Sequence, residues 1–227
     1  MRIIPVLDIS EGMVVHARLG QRENYRILQS PLCSSGRPLD VIRALLDLHP
    51  FDTIYIADLD ALSGKDPQVD ILMSLLSTWP HIEFWLDSGA RAIPGISGPG
   101  NCKRVLGTET NCGLDEIKKL VETEHIILSM DFLDNQHMGQ AEIMEQPVLW
   151  PRNVIIMSLD RVGSGLGPDI NRIASFQQRD SSKSYYAAGG VRGYQDLCLL
   201  SKKGVRGALV ASCLHNGNLT AEHLQQL

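Results

Sequence analysis

The sequence has little that would bind nucleic acid, cross a membrane or cross-link. Its 21 basic side chains are outnumbered by 26 acidic ones, a formal net charge of −5 over 227 residues. Binding a phosphate backbone needs an excess of clustered Lys and Arg, so no nucleic-acid surface is expected. No run approaches the ~20 apolar residues that span a bilayer. The opening Met1-Arg2-Ile3-Ile4-Pro5-Val6-Leu7-Asp8 meets an acid too early for the apolar stretch of a secretory signal. Cys33, Cys102, Cys112, Cys198 and Cys213 are an odd, scattered set without CxxC spacing. Neither a disulfide framework nor a zinc site is expected, and a reducing cytosol is the simpler setting. No Gly/Ser tract divides the chain, so residues 1–227 read as one domain.

What the chain does have is a series of short apolar runs: Ile3–Leu7, Thr53–Ala57, Ile82–Leu86, Lys103–Leu106, His125–Met130, Asn153–Met157, Ser184–Ala188 and Ala208–Ala211. Each has the length of a buried strand and is apolar on both faces, the pattern of parallel strands covered by helices. Stretches at helical spacing separate most of them, such as Leu39, Ile42, Leu45 and Leu46, or Ile170, Ile173 and Phe176. Strand–helix alternation with eight strands predicts an α/β fold, a closed (β/α)8 TIM barrel. Two connections depart from the pattern. Pro94-Gly95-Ile96-Ser97-Gly98-Pro99-Gly100 after run three cannot be an ordinary helix, and residues 132–152 after run five leave little room for one. Helices three and five are therefore expected to be shortened.

A half-chain repeat is also legible. Tyr55-Ile56-Ala57-Asp58-Leu59-Asp60 resembles Ile155-Ile156-Met157-Ser158-Leu159-Asp160 at an offset of 100, and Phe84-Trp85-Leu86-Asp87-Ser88-Gly89-Ala90-Arg91 resembles Tyr185-Tyr186-Ala187-Ala188-Gly189-Gly190-Val191-Arg192 at an offset of 101. Two four-strand halves forming one barrel would place equivalent groups across its mouth.

In such a barrel, the strand C-termini and the loops after them carry the site. Asp8 and Asp131 close runs one and five, so they should face one another as a carboxylate pair suited to acid–base work. The alternative for a strand-end Asp is to cap the next helix. Gly89 with Arg91, and Gly189 with Gly190, follow runs three and seven; glycine lets backbone amides approach an anion closely. Gly107-Thr108 and Ala211-Ser212 are placed to complete each phosphate cradle. Glycine there would otherwise simply make tight turns. Arg18 and Arg22 lie in a long loop after Asp8 that either folds over a ligand or stays a solvated basic surface. Asp58, Ser158 and Asp160 are support candidates. His16 has no metal-like partner spacing and reads as structural, and Trp150 as core.

Ile4-Pro5-Val6-Leu7-Asp8, Ala57-Asp58-Leu59-Asp60-Ala61, Leu128-Ser129-Met130-Asp131 and Ala188-Gly189-Gly190-Val191 carry a resemblance over nearly the whole chain. The chain resembles the histidine-biosynthesis barrel family: the Amadori isomerase of phosphoribosylformimino-aminoimidazole carboxamide ribotide (ProFAR) and its sister cyclase. The isomerase branch is nearer, because the first strand ends in Leu7-Asp8 and lacks the cysteine of the typical cyclase start. The resemblance implies a substrate with two phosphates, one per half-barrel, no metal or organic cofactor, and acid–base catalysis by Asp8, with an aspartate after strand five at Asp131. The chain also departs from the isomerase pattern. Val162 occupies the position of the acid after strand six, Met157 or Ser158 that of a threonine, and Asp87-Ser88-Gly89 that of a triple-glycine turn. In the stretch Glu23-Asn24-Tyr25-Arg26 through Ser30 and the run Tyr55-Ile56-Ala57-Asp58-Leu59-Asp60 it resembles a divergent branch related to both enzymes, found among methanogens and methylotrophs. Three readings follow: an Amadori aldose–ketose isomerase of a phosphoribosyl aminoimidazole compound, a paralogue serving one-carbon or cofactor biosynthesis with another phosphorylated substrate, or a phosphate-ligand binding protein without catalysis.

Overall fold

The computed structural model describes residues 1–89, 100–110 and 113–227. Eight parallel strands close on themselves: β1 (Arg2–Ser10), β2 (Thr53–Asp58), β3 (Glu83–Asp87), β4 (Cys102–Gly107), β5 (Ile126–Leu133), β6 (Asn153–Ser158), β7 (Ser184–Ala188) and β8 (Gly207–Val210). Closure comes from β8 pairing with β1, Arg2 opposite Gly207 and Pro5 opposite Val210. The chain is a (β/α)8 TIM barrel, and each strand falls on one of the eight apolar runs. Strands β2 and β6 begin at Thr53 and Asn153, so the repeat offset of 100 is also the structural one.

Alternation along each strand sorts side chains into two cores. Ile4, Tyr55, Trp85, Val105, Ile127, Ile155, Tyr186 and Leu209 fill the barrel interior. Trp85 and Tyr186, equivalent under the repeat, meet edge to face with ring centroids 4.8 Å apart. Ile3, Leu7, Ile54, Ile56, Phe84, Leu128, Ile156 and Ala187 point the other way and pack beneath the helices. This phase decides which strand-end polar groups reach the mouth of the barrel and which are directed at its shell.

The outer layer follows the helical spacing. Pro38–Leu48 starts with proline in its first turn, where the missing N–H costs nothing, and buries Val41, Ile42 and Leu45. Val69–Thr78 buries Leu72, Leu75 and Leu76. After β5 the expected shortening is present: a five-residue helix, Ala141–Glu145, precedes a single 3-10 turn at Pro147–Leu149. Trp150 closes this corner, fully buried, its indole N–H donating to the Ile143 carbonyl at 2.7 Å. Residues 90–99 of the connection after β3, where the shortened third helix is expected, lie outside the described residues. Among the described residues, no helix is long and apolar enough to cross a membrane.

Two hairpins shape the mouth. β1 runs on to Ser10, turns through Glu11 and Gly12 at positive φ, and returns as Met13–His16, placing Val15 opposite Asp8. Beyond β5, Asp134 and Asn135 both take positive φ, a turn these residue types tolerate, and Gln136–His137 folds back on Leu133 and Phe132.

Candidate active site

A cavity of about 560 Å³ opens at the C-terminal ends of the strands, within the size range of small-molecule sites. Three of the four odd-numbered strands contribute an aspartate to its wall: Asp8 from β1, Asp87 from β3 and Asp131 from β5. The fourth, β7, contributes Ala188. Sequence reasoning placed Asp8 and Asp131 here. It met Asp87 only as part of a turn that departs from a triple-glycine pattern, although alternation from the interior Trp85 puts Asp87 on the inner face.

Asp131 is the most tightly held of the three. The Ser129 hydroxyl donates to its Oδ1 at 2.6 Å, the Glu109 backbone N–H to its Oδ2 at 3.0 Å, and the Thr108 hydroxyl to the same Oδ2 at 3.3 Å. Thr108 in turn accepts from the Asp131 N–H at 2.8 Å. Gly107 is required by close approach: a Cβ there would meet carboxyl oxygens of both Asp131 and Asp87 within 4 Å. Asp87 accepts a hydrogen bond of 2.8 Å from the buried Tyr55 hydroxyl. Asp8, among the described residues, has no side-chain hydrogen-bond partner and presents its carboxyl to the cavity.

Burial and mutual repulsion lift all three carboxyls. Asp8 is pushed up to about 7 by desolvation, opposed by Arg22 and reinforced by Asp87 and Glu109. Asp131 rises to about 8 through desolvation and the Glu109 charge, against its hydrogen bonds from Ser129 and the Glu109 amide. Asp87 rises to about 6, desolvation outweighing the Tyr55 hydrogen bond. The physical cause is common to the cluster: closely spaced carboxylates in low dielectric cannot all ionise. Such a set both gives and takes protons near neutral pH.

The loop after the first hairpin crosses the mouth. Leu19 donates its N–H to the Val162 carbonyl at 2.9 Å beyond β6, and Arg22 bonds Glu109 at 2.7 Å beyond β4. Arg22 and Tyr25 line the cavity; Arg18 does not, its backbone packing instead against the position a Gly163 Cβ would take.

The far side is glycine-rich. Gly189 and Gly190 line the cavity at φ 93° and 82°. A Cβ on Gly189 would strike the Ser158 carbonyl oxygen and one on Gly190 the Gly167 carbonyl oxygen. Ala211 and Ser212 complete this wall, and the helix Ser212–His215 begins without a side-chain cap. His16 reaches the same place, its Nε2 3.1 Å from the Ser212 hydroxyl. Gly189→Ala is expected to destabilise the protein by about 1–3 kcal/mol through forced positive φ and carbonyl overlap. It should also abolish any phosphate-dependent rise in melting temperature, measured by thermal denaturation with and without ligand.

The remaining expected residues divide cleanly. Gly107 and Thr108, expected in a phosphate cradle, stand against Asp131, the Thr108 hydroxyl and the following amide both directed at that carboxyl. Gly89 takes φ 78° and donates its N–H to Asp87. Arg91 lies outside the described residues. Asp58, Ser158 and Asp160 do not line the cavity. Asp58 is one residue out of phase with Tyr55 and Ala57, so its fully buried carboxyl faces the shell and accepts from the amides of Ala61 and Gln68 at 3.1 and 2.8 Å. Ser158 is the equivalent position in β6 and accepts from Arg172 at 3.0 Å. Asp160 follows on the 3-10 turn Leu159–Arg161, its buried Oδ1 unpartnered among the described residues. Val162 does line the cavity, so an apolar side chain occupies the wall at the resemblance's acid position. Asp58→Ala is expected to cost about 1–2 kcal/mol, the loss of a capping carboxylate, and to leave turnover unchanged; urea unfolding beside a rate measurement checks both.

The profile of the family described as histidine biosynthesis protein matches residues 2–220. An uncharacterized protein of Methanocaldococcus jannaschii is 27% identical over 99% of this chain and 97% of its own length. The 1-(5-phosphoribosyl)-5-((5-phosphoribosylamino)methylideneamino) imidazole-4-carboxamide isomerase of Clostridium botulinum strain Kyoto is 24% identical over 96% of this chain and 94% of its own. The protein of that name from Thermococcus onnurineus is 22% identical over 100% of this chain and 99% of its own.

Proposed function

On the premise that the chain belongs to the histidine biosynthesis protein family, we propose that it is an isomerase of the Amadori type, converting a phosphorylated aldosylamine to the aminoketose. The observation that carries this reading is the set of lifted carboxyls on the cavity wall, with Asp8 at about 7 and Asp131 at about 8. At neutral pH Asp131 holds its proton and Asp8 is poised to accept one. Protonated Asp131 would give its proton to the ring oxygen as the C1–O bond opens, leaving an iminium ion at C1. Asp8 would take the proton from C2, and the electron pair moves to form the enolamine. Return of a proton to C1 and loss of the enol proton give the ketone at C2. No redox partner enters, and every proton removed is replaced.

The glycine-rich wall of Gly189, Gly190, Ala211 and Ser212 would seat the phosphate, and Arg22, on the loop that crosses the mouth, would meet the ring. Val162 cannot give a proton, so the acid role falls to Asp131. The four described free cysteines suit a reducing cytosol.

The test is incubation in D2O with phosphorylated aldosylamines, ProFAR among them, followed by NMR. Conversion with deuterium delivered to C1 is expected, with a bell-shaped rate profile whose limbs fall near pH 7 and 8, the values of Asp8 as base and Asp131 as acid. Saturable binding without conversion or exchange of any of them would instead make the chain a phosphate-ligand binding protein.

A further inference from the structure

The two halves of the mouth are equivalent in position but not in charge. Under the offset of 101, Asp87-Ser88-Gly89 answers Ala188-Gly189-Gly190. On the β7 side the wall is an alanine methyl beside two glycines; on the β3 side it is a buried carboxyl. The β4 turn continues the contrast. Its hydroxyl and amide, which would turn to an anion, are spent on Asp131 at 3.3 and 3.0 Å. Glu109, lining the same end, adds a fourth carboxyl. Among the described residues lining that end, Arg22 is the cation, and it is already engaged by Glu109 at 2.7 Å. Asp8 faces the cavity with no hydrogen-bond donor from the described residues. Among those residues, too, no group of three or more acidic, His or Cys side chains is arranged to hold a metal ion.

We propose that the substrate carries one phosphate, seated at Gly189-Gly190 and Ser212, and at its other end a protonated amine held by Asp8 and Asp87, rather than a second phosphate. The amine supplies the donor that Asp8 lacks and offsets the uncompensated negative charge of the β3–β5 end. A second phosphate would bring further negative charge against Asp8 and Asp87, the carboxyls of that end that ionise at or below neutral pH without a paired cation, in a poorly solvated wall where like charges repel most strongly. The proposal rests on the phosphate seat of the preceding reading, not on its isomerase step.

Titration calorimetry of the full chain with three probes at matched ionic strength and neutral pH tests it: glucosamine 6-phosphate, glucose 6-phosphate and glucose 1,6-bisphosphate. Glucosamine 6-phosphate should bind at least about tenfold tighter than glucose 6-phosphate, and the bisphosphate more weakly than either. Asp87→Asn keeps an acceptor for Tyr55 and should narrow the amine preference, while Asp87→Gly should raise bisphosphate affinity. The proposal is overturned if the bisphosphate binds as tightly as glucose 6-phosphate, if the amine brings no gain, if Asp87→Asn leaves the preference unchanged, or if no probe binds. Because nothing is converted in this measurement, the expected preferences without turnover of any aldosylamine would defeat the isomerase reading and leave this one standing. Turnover of a bisphosphate with no amine preference would do the reverse.

Discussion

Asp8→Asn is expected to lower the isomerisation rate by about 10²–10⁴-fold, the contribution of a positioned general base. Affinity for a simple phosphate monoester without an amine should stay within about threefold, since the glycine wall that seats it is untouched. The substitution is nearly isosteric, and Asp8 has no hydrogen bond from the described residues to lose. It also removes a charge that burial disfavours, its carboxyl standing at about 7. The variant should therefore fold at least as well as the parent, which separates lost chemistry from lost structure. Steady-state rates beside a phosphate titration and a melting curve decide it. A variant that keeps the full rate would move the base to another group, Asp87 first, because it is the other carboxyl on that wall without a backbone amide brace from Thr108-Glu109.

The second large effect is on stability. Moving the unliganded protein from about pH 5.5 to about pH 8.5 is expected to destabilise it by about 3 kcal/mol. The folded carboxyls of Asp8, Asp87 and Asp131 lie at about 7, 6 and 8, all above the ordinary aspartate value of 3.8. A raised carboxyl binds a proton in the folded chain that the unfolded chain has already released. Its stabilising contribution is therefore complete below about pH 4 and is lost as pH rises through 6, 7 and 8. Glu83 and Asp196 work the other way: the hydrogen bonds and charges of Lys103 and Arg192 hold them low against burial, so their contribution is lost toward acid. The stability maximum should lie on the mildly acidic side. For a chain of this length 3 kcal/mol is roughly 6–12 °C in melting temperature. Asp87→Asn should flatten the alkaline decline, and a parent profile that is level or rising across this range would show that the three carboxyls are not buried together.

Much of this was legible because strands and helices bury faces at fixed periods. The eight apolar runs became the eight strands, and β2 and β6 kept the repeat spacing of 100 residues. The short helix after β5 followed from Pro147 and Pro151 crowding the segment. Asp8 and Asp131 were legible as ends of runs. Asp58 was not separable from them by that criterion, since it too ends a run; it differs only by one step of alternation, which turns it into the shell. Asp87 was hidden by the opposite error. A turn that resembles a glycine cradle drew attention to what it lacked, while the interior Trp85 two residues before it already fixed its direction.

The sequence by itself determined the barrel, its two related halves and the loop positions from which a site must come, because these follow from local period and chain length. The closed register decided which side chains share a volume. Thr108 and the Glu109 amide turn to Asp131, Arg22 rather than Arg18 reaches the cavity, and Ser158 binds Arg172 in the shell. None of these pairings is near in sequence, and each depends on side chains meeting across strands where burial raises the cost of every unpaired charge. The contrast between an acidic half and a glycine half is therefore a property of the assembled mouth.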